Sequence, residues 1–432
     1  MKRETIQLSS DYLSITKLVR WAQKHDVFTL YNSNSLSNNP LDIYSKFDLL
    51  LAIGVRKLYE SKNDAFDNIQ SAGQNNDWHI VQLAYDLKNK IEKLSSSNTD
   101  KLKFPESTIY IPELVFEVKK DSVSVHFFSD KYNAASISAL LEEIKATEES
   151  NEHHSIILPI ESTVTKEEYI ERVTNIKKHI QLGDIYEMNY CQEFFSQDAK
   201  INPGNIYLKL NELSPMPFSV FSKFNSHYII SASPERYLAK RENKIISQPI
   251  KGTARRGDDY ESDSKTKHQL FLDPKERSEN VMIVDLVRND LSRTATKNSV
   301  NVEELFAIKT YKQLHQMVST VTSMIDSNTN FSEVIKTTFP MGSMTGAPKI
   351  RAMELIEESE KTKRGMYSGS VGYISPDGDA DFNVIIRSIL FNENNKYLSF
   401  MVGSAITIGS DPEKEYEECL LKASAMMKVL RK

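Results

Sequence analysis

The sequence predicts a fold of mixed helices and strands in which the strands form antiparallel sheets. Four strand patterns follow one another in the middle of the chain, at residues 218–224, 228–232, 236–240 and 244–250. Strands separated by such short turns pair in antiparallel fashion, because a parallel neighbour needs a long crossover connection. Capped helical patterns accompany them: Thr165 and Glu168 form a capping box, and Gly183 ends the amphipathic stretch that follows.

Composition and charge exclude several classes of protein. The 432 residues can bury a large core, and size alone suggests roughly two or three domains. Lys and Arg total 54 against 59 Asp and Glu, and the net charge of −5 argues against a dedicated nucleic-acid-binding protein. Two cysteines are too few for a disulfide framework and indicate a reducing compartment. No apolar run reaches about 18 residues and the N-terminus lacks an apolar core, so we expect no membrane span, no secretory signal and a cytoplasmic location.

The N-terminal third of the chain is predicted to be less regular than the rest. The patterns indicate loops at 32–40 and 95–106, a strand or buried helical turn at 47–60, a strand that becomes a helix at 78–94, and two strands within 109–128. Lys120 and Asp121 join the last two strands in a hairpin. A polar linker at 148–155 separates this part from the remainder.

From Thr165 onward the patterns of helices and strands are sharper, and the helix that Gly183 ends is the first of them. Apolar periodicity predicts strands at 185–195, 369–374, 381–390 and 397–406, and helices at 203–213, 275–288, 331–337, 348–358 and 412–430. Asp411 is the expected N-cap of the last helix. Pro412 is its expected first residue, the helical position at which proline is best tolerated.

A strand is predicted to end and change direction at residues 247–256, which read S-Q-P-I-K-G-T-A-R-R. Pro249 removes a ladder hydrogen bond, and Gly252 allows another backbone or a ligand to come close. Lys251 follows where the strand should end and projects from this corner. Taken alone, it is either an exposed loop lysine or a functional amine.

Pairs of carboxylates recur at helical spacing on two of the predicted helices. Glu276 and Glu279 share one face of the first helix, and Glu415 and Glu418 share one face of the last. Two such helices could hold Mg²⁺ through one or two carboxylates and leave positions open for water and an anionic substrate. The alternative is that all four are solvated glutamates balanced by neighbouring lysines such as Lys275.

Three further features are suited to binding an anion. The turn G-S-M-T-G at 342–346 precedes a helix whose dipole favours a carboxylate or phosphate, although its spacing fits neither a Walker loop nor a dinucleotide fingerprint. Arg387 ends a strand pattern, and arginine binds carboxylates through paired hydrogen bonds. The segment G-S-A-I at 403–406 lets a ligand approach the backbone. A glycine-rich turn without a ligand and a solvent-facing arginine are the alternatives.

Taken together, these segments resemble the chorismate-utilising enzymes. Six motifs carry the resemblance in unbroken order: S-P-E-R-Y (233–237), P-I-K-G-T (249–253), K-E-R-S-E-N-V-M-I-V-D-L-V-R-N-D (275–290), H-Q-M-V-S-T-V (315–321), G-S-M-T-G-A-P-K (342–349) and S-D-P-E-K-E-Y-E-E (410–418). The segment D-W-H-I-V-Q-L-A-Y-D-L-K at 77–88 resembles the N-terminal region of the same family. The resemblance implies an α+β fold of large antiparallel sheets sandwiched between helices, with the active site in the central cleft. It also implies an N-terminal region, 1–150, integrated into the fold with a chorismate-binding catalytic domain at 160–432.

Within this family the chain most resembles the branch that converts chorismate and ammonia to 4-amino-4-deoxychorismate, in the p-aminobenzoate and folate pathway. Relatives that make anthranilate resemble P-I-A-G-T where this chain has P-I-K-G-T. The resemblance implies that Lys251 is a nucleophile that adds to C2 of chorismate, with a pKa depressed by burial and a nearby cation. It implies that Glu235 is the general acid, which needs a raised pKa.

The remaining site residues are also implied by the resemblance. Glu279 and Glu418 would bind Mg²⁺, with Glu276 and Glu415 around them. The residues expected to contact substrate are Gly252, Thr253, His315, Thr345, Gly346, Arg387, Gly403, Ser404, Ala405, Lys422 and Gln192. Ser404 and Ala405 depart from the family's usual glycines and are expected to place side chains near the substrate. Gln192 is expected where isochorismate-forming relatives carry a water-activating lysine, which argues against a water-adding branch.

The sequence has no Cys, His and Glu arrangement typical of a glutaminase. We therefore expect ammonia to come from a separate glutamine amidotransferase subunit. Two alternatives stay open: an anthranilate synthase component I, and a non-catalytic scaffold of the same fold that only binds an amidotransferase. The region before Trp78 lacks a clear match to the family's regulatory tryptophan pocket.

Overall fold

Two large antiparallel sheets with helices packed on them form the fold, as the sequence predicted. The computed structural model describes residues 3–9, 14–35, 42–59, 64–149 and 158–431. The predicted loop at 32–40 and linker at 148–155 lie mostly outside these ranges. Among the helices in these ranges, none has the length and apolar character needed to cross a membrane.

Strands make up the larger part of the regular structure. They are β1 (Arg3–Ser9), β2 (Val27–Asn32), β3 (Leu49–Ile53), β4 (Lys57–Tyr59), β5 (His79–Leu83), β6 (Ser107–Ile111), β7 (Leu114–Lys119), β8 (Ser122–Phe128), β9 (Glu161–Ser162), β10 (Glu187–Ser196), β11 (Phe218–Phe224), β12 (His227–Ser233), β13 (Arg236–Arg241), β14 (Lys244–Gln248), β15 (Ile250–Arg255), β16 (Asn301–Thr310), β17 (Leu314–Met324), β18 (Gly346–Ala347), β19 (Ser370–Ile374), β20 (Ala380–Asn383), β21 (Ser388–Asn392) and β22 (Tyr397–Ile406).

Several of the helices begin at residues whose side chains cap them. The helices are α1 (Ile15–Ala22), α2 (Ala65–Gly73), α3 (Ala134–Ala146), α4 (Lys166–Leu182), α5 (Pro203–Leu213), α6 (Tyr260–Leu272), α7 (Pro274–Ser292), α8 (Phe331–Thr338), α9 (Lys349–Ser359) and α10 (Pro412–Leu430), with 3₁₀ turns at Tyr85–Lys90 and Gly342–Met344. The predicted capping box of Thr165 and Glu168 opens α4, and Gly183 ends it in the left-handed conformation at φ 85°. The Asp411 side chain accepts hydrogen bonds from two backbone N–H groups at the start of α10.

Strands from both ends of the chain are interleaved in each sheet. The first sheet has the order β1-β8-β7-β3-β2-β11-β12-β21-β22-β10-β18, with β9 added on β10. The second has the order β15-β17-β14-β13-β20-β19-β5-β6-β4, with β16 added on β17. N-terminal β2 pairs with β11, and N-terminal β5 pairs with β19. Neither sheet is therefore complete without residues from the first third of the chain.

Two of the points at which the chain passes from one sheet to the other touch each other. One crossing links β12 to β13 through Pro234 and Glu235, and the other links β20 to β21 through residues 384–387. Val384 N–H donates to the carbonyl of Glu235 at 3.0 Å, and Ser233 Oγ donates to the carbonyl of Val384 at 2.6 Å. The crossings therefore lie side by side where the sheets meet.

Side chains of β10 alternate between two apolar cores, and this alternation fixes which residues face the space between the sheets. Met188, Tyr190 and Phe194 pack into a core that also contains buried residues of α4, α5 and α10. Cys191 and Phe195 pack into the second core, which draws on both sheets and on α2, α7 and α8. Odd-numbered residues of β10 thus face the second sheet, as a period of two requires.

Sequence patterns missed several elements whose signals are weak. Helices α1, α2, α3 and α6 and strands β16 and β17 were not predicted; α6, for example, buries only Leu270, so apolar periodicity is nearly absent. The strand expected to stop at Pro249 instead resumes as β15, and both β14 and β15 pair with β17. The region 109–128 lies in three strands, β6 to β8, and the predicted hairpin at Lys120 and Asp121 joins the last two.

Replacing Phe221 by alanine is expected to destabilise the fold by about 3–5 kcal/mol. Phe221 is fully buried at 0% exposure and contacts the rings of Tyr207 and Phe28, with centroids 5.0 and 4.9 Å away. Leu182→Ala is the matched control, because Leu182 is 78% exposed; it should change the free energy of unfolding by less than about 0.5 kcal/mol. Equal losses in urea unfolding of the two variants would contradict this packing.

Candidate active site

A buried ion pair joins the two sheets where they meet. Lys251 Nζ on β15 of the second sheet donates to Glu187 Oε1 on β10 of the first sheet at 2.8 Å. Their side chains are only 11% and 2% exposed. Helices α7 and α10 lie near this pair. The carboxylate of Glu279 on α7 raises the pKa of Lys251, and Lys251 lowers the pKa of Glu418 on α10. We call the space around this pair the cleft.

Local chain geometry explains why Lys251 reaches the cleft. Pro249 interrupts the strand, and the pairing with β17 shifts register between Ile250 and Thr253. Gly252 lies in the left-handed region at φ 95°, and a Cβ there would stand 3.1 Å from Glu276 Oε2 and 3.2 Å from Met317 Cβ. A larger residue is therefore strained as well as crowded at this position. The bulge turns Lys251 toward the first sheet without removing the segment from the second.

The charge state of Lys251 differs from the sequence prediction of a depressed pKa. Burial lowers the pKa of this amine, but the carboxylates of Glu187, Glu279 and Glu235 act in the opposite direction. The combined effect of the three carboxylates is larger than that of burial, so the pKa of Lys251 is raised in the protein without ligands. Lys251 therefore rests as an ammonium group.

Glu235 is a buried carboxyl group that is partly protonated near neutral pH, because its pKa is about 7. It lies at the crossing between β12 and β13, and its Oε1 accepts a hydrogen bond from Ser343 Oγ at 2.6 Å. Burial raises the pKa of Glu235 to about 7, against the opposing effects of Ser343, Lys251 and Arg387. A group with this pKa can donate a proton near neutral pH.

Arg387 is a cation that no carboxylate neutralises within the described residues. It lies at the second crossing, with a left-handed φ of 51° that is uncommon for a residue other than glycine. Burial lowers the pKa of Arg387 to about 10, while Tyr311 and Glu235 act in the opposite direction. The side chain is therefore charged at neutral pH and available to an anion.

Four glutamates of α7 and α10 surround Lys275. All four, Glu276, Glu279, Glu415 and Glu418, raise its pKa against the effect of burial. Burial raises the pKa of Glu279 to about 7, and Glu279 Oε1 is buried without a hydrogen-bond partner. Within the described residues no group of three or more His, Cys, Asp or Glu side chains stands close enough together to hold a metal ion.

The predicted glycine turn packs against the start of β10. Gly346 has φ 155°, and a Cβ there would stand 2.2 Å from the carbonyl oxygen of Glu187. Asn189 N–H donates to the carbonyl of Thr345 at 2.8 Å, and Thr345 itself is fully buried. The turn thus fixes the backbone that carries Glu187.

Strand β22 pairs with β10 and is bound by Lys422 of α10. Lys422 Nζ donates to the carbonyl of Gly403 at 3.0 Å and pairs with Glu418 at 2.8 Å, which ties α10 to β22. Ser404 Oγ lies 3.2 Å from Tyr169 OH, on the opposite face of the strand. The Ser404 side chain is thus engaged by Tyr169 and buried, whereas its neighbour Ala405 is partly exposed; contact of either residue with substrate stays a prediction.

Two other residues predicted to contact the substrate, Gln192 and His315, are hydrogen-bonded to other side chains, and a third, Thr253, is exposed. Gln192 Oε1 accepts from Ser162 Oγ at 3.2 Å, under α10 and on the even-numbered face of β10. His315 is buried with Nδ1 3.0 Å from Thr310 Oγ1 and Nε2 2.9 Å from Asp263 Oδ1, so both ring nitrogens are already engaged. The side chain of Thr253 is exposed to solvent.

Two residues of the cleft were missed by the sequence reasoning, namely Glu187 and Ser343. The alternation of side chains along β10 could have identified Glu187. Glu187 is five positions from Gln192, so its side chain lies on the other face of the strand, roughly 16 Å away along it. Ser343 could have been identified from its place in the G-S-M-T-G turn, two residues before Thr345, which was predicted to contact substrate.

Comparison with known proteins matches this arrangement to one family. The model of the chorismate binding enzyme family matches residues 38–428. Aminodeoxychorismate synthase component 1 of Escherichia coli K12 is 33% identical over 352 residues, which cover 81% of this chain and 76% of that protein. Anthranilate synthase component 1 of Aquifex aeolicus is 39% identical over 269 residues, covering 62% of this chain and 54% of that protein, so this chain matches about half of the relative's length.

The fold has a solved counterpart. The crystal structure of anthranilate synthase component I from Streptococcus pneumoniae has a TM-score of 0.76 with 23% identity, and the match covers 99% of this chain and 92% of that chain. At this identity the likeness shows the fold alone. The family match over most of the sequence carries the assignment: the chain belongs to the chorismate-binding enzymes.

Proposed function

We propose that this enzyme replaces the C4 hydroxyl of chorismate by an amino group, giving 4-amino-4-deoxychorismate by way of a covalent adduct on Lys251. The observation that carries the proposal is the buried amine of Lys251 in the cleft, electrostatically coupled to a carboxyl, Glu235, whose pKa is about 7. The similarity to the E. coli protein named aminodeoxychorismate synthase component 1 supports the choice of product.

Addition of Lys251 to the substrate is the first step. Its neutral amine forms a bond to C2 of chorismate, the two ring double bonds move to C1–C6 and C4–C5, and the C4–O bond breaks. Glu235 gives its proton to the departing hydroxyl, which leaves as water. Forming an intermediate divides one difficult substitution into two easier ones.

Displacement of Lys251 by ammonia is the second step. Ammonia attacks C4, the double bonds return to C1–C2 and C5–C6, and the C2–N bond to Lys251 breaks. The new ammonium group at C4 returns a proton to Glu235. Chorismate and ammonia thus give 4-amino-4-deoxychorismate and water, with both side chains restored.

Two cations and the β22 backbone are proposed to orient the substrate. Arg387 has no carboxylate partner within the described residues, and Lys422 is held at the edge of the cleft by the carbonyl of Gly403. We assign both to the enolpyruvyl carboxylate of chorismate. The turn at Thr345 and Gly346 supports the opposite edge of the cleft, beside Glu187.

Mg²⁺ is the cofactor we propose, bound by Glu279 and Glu418 with Glu276 and Glu415 around it. The residues fit this ion, because it takes oxygen ligands and Glu279 Oε1 is buried without a hydrogen-bond partner. A set held by only one or two protein carboxylates leaves positions for water and substrate. When bound, the ion neutralises the ring carboxylate of chorismate.

Ammonia is proposed to come from a separate glutamine amidotransferase subunit. A glutaminase nucleophile is a cysteine of low pKa, whereas Cys191 and Cys419 are buried and burial raises the pKa of Cys191 to about 12. The designation "component 1" in the name of the E. coli relative agrees with a two-subunit arrangement.

Anthranilate synthesis is the second candidate, because the A. aeolicus relative of that name is 39% identical over the matched region. The two reactions share substrate and ammonia but differ in the carbon that is aminated and in product release. Direct release of anthranilate by the purified chain, given chorismate, Mg²⁺ and ammonium, would establish the second candidate and exclude the first.

Lys251→Ala is expected to lower ammonium-dependent formation of 4-amino-4-deoxychorismate by at least about 10³-fold, since it removes the nucleophile. Product is measured by chromatography, and intact mass of the wild type with chorismate but no ammonium should show the adduct. Lys240→Ala is the control: this lysine of the same sheet binds the carbonyl of Gly378, outside the cleft, and its loss should leave the rate unchanged. An aminating Lys251→Ala variant would refute the mechanism.

Glu235→Gln is expected to gain stability over the wild type as the pH rises from 4.5 to 7. The folded protein keeps the proton on Glu235 up to a pKa of about 7, whereas the unfolded chain releases it near 4.5. The wild type therefore loses about 3 kcal/mol of unfolding free energy across this window, and glutamine, which cannot ionise, loses none through this group. Urea unfolding at pH 5 and pH 8 measures the difference; a constant gap would mean an ordinary pKa at Glu235.

Removal of divalent cations is expected to abolish turnover, and Mg²⁺ should restore it. Glu279→Gln should weaken the apparent affinity for Mg²⁺ at least about tenfold, because it removes a charged oxygen ligand. The upward shift of Tm on adding Mg²⁺ gives a readout independent of activity. Glu417→Gln, an exposed neighbour on α10, should titrate like the wild type. Equal Mg²⁺ responses in both variants would rule out Glu279 as a ligand.

A further inference from the structure

Glu187 is the buried carboxylate of the cleft that neither the sequence motifs nor the proposed reaction has yet used. It is 1% exposed and opens β10. Its Oε1 accepts the hydrogen bond from Lys251 Nζ at 2.8 Å, while its Oε2 is buried and has no hydrogen-bond partner. One half of this side chain is thus committed to Lys251, and the other half is left unsatisfied.

Stability does not explain such an arrangement. A buried ion pair offsets the loss of hydration only when its remaining lone pairs are hydrogen-bonded, and replacing such pairs by apolar residues is often neutral or stabilising. Oε2 belongs to the same carboxylate that contacts Lys251, so this group can accept a proton without first losing another hydrogen bond.

The backbone holds Glu187 rigidly in place. Glu187 pairs with Ala347 of β18. Because Gly346 has no Cβ, the turn that contains it can approach the carbonyl of Glu187. Within the described residues, Glu187 is the carboxylate in ion-pair contact with Lys251, whereas Glu235 and Glu279 act on this amine from longer range. Glu235 must also hold a proton for the leaving hydroxyl, so it cannot accept another.

We propose that Glu187 positions Lys251 in the cleft and takes the proton from its ammonium group before the amine adds to chorismate. This inference rests on the proposed function, in which Lys251 is the nucleophile. The proton moves from Nζ to the Glu187 carboxylate, and the freed electron pair on Nζ forms the bond to C2. When ammonia later displaces the lysine, the proton returns from Glu187 to Nζ, so the ion pair is regenerated and no further reactant is required.

The decisive comparison is Glu187→Gln against Glu193→Gln. Glutamine keeps the size and a hydrogen bond but cannot accept the proton. We expect adduct formation on Lys251, followed by intact mass with chorismate and no ammonium, and kcat for amination to fall about 10²–10⁴-fold, with KM for chorismate changed less than about threefold. Glu193 is a buried carboxylate of the same strand that binds Tyr397, and its variant should form the adduct at the wild-type rate.

Each outcome of this experiment has a defined meaning. Adduct formation at the wild-type rate in Glu187→Gln would overturn the inference and leave the proposed function intact. Absence of adduct in the wild type itself would instead refute the proposed function. A rise in KM matching the fall in kcat/KM, with kcat unchanged, would overturn the inference by assigning Glu187 to binding.

A second variant keeps the test sharp if Glu187→Gln does not fold. Glu187→Asp retains the carboxylate but draws it back from Nζ by about one C–C bond. We expect adduct formation at least about tenfold slower than in the wild type, with KM unchanged. A wild-type rate in Glu187→Asp would overturn the proposal that the carboxylate acts through direct contact with Lys251.

Discussion

The paired crossings between the two sheets are the constraint on which the site depends. Because Val384 N–H donates to the carbonyl of Glu235, the two crossings are bonded directly to each other, which fixes the two sheets relative to one another at this point. The crossings place Glu235 and Arg387 at the junction rather than in either core. The same relative placement brings β10 to β15 and lets Glu187 reach Lys251. Four chemically active side chains therefore depend on one piece of backbone geometry.

The cleft contains charges that are paired only in part. Glu187 Oε2 and Glu279 Oε1 are buried without hydrogen bonds, and Arg387 carries no ion pair among the described residues. Such groups are destabilising unless a partner arrives. The proposed substrate, chorismate, carries two carboxylates, and the proposed divalent cation takes oxygen ligands; binding of both would satisfy groups that the protein alone leaves without partners. Two large apolar cores on either side of the first sheet supply the stability that tolerates this.

Sequence reasoning identified most of the fold and part of the site, and the divide between them has a physical cause. Capping chemistry located α4 and α10, and motif order located Lys251, Glu235 and the glutamates of α7 and α10. Motif order does not give the direction of side chains on strands, because a shift of one residue exchanges the two faces of a sheet. Gln192 and Ser404, which the resemblance placed near the substrate, bond to Ser162 and Tyr169 in the structure, and Glu187, on the other face of β10, was overlooked. The charge state of Lys251 was mistaken because it depends on a carboxylate 64 positions away in the chain.

The lysine that distinguishes this chain from P-I-A-G-T relatives cannot act as an isolated residue. A lone amine buried between two sheets would lose its proton through desolvation, and a lone Glu187 would be an unpaired buried charge. Each charge therefore stabilises the other in the buried site. Substitutions of the two residues are expected to have strongly non-additive effects on stability and on rate, as for any pair in direct contact. In the mechanism we propose, Lys251 acts only together with Glu187. Exchanging the lysine alone leaves a buried carboxylate without its ion-pair partner, so the proposal predicts that a change from one reaction to another requires both positions to change together.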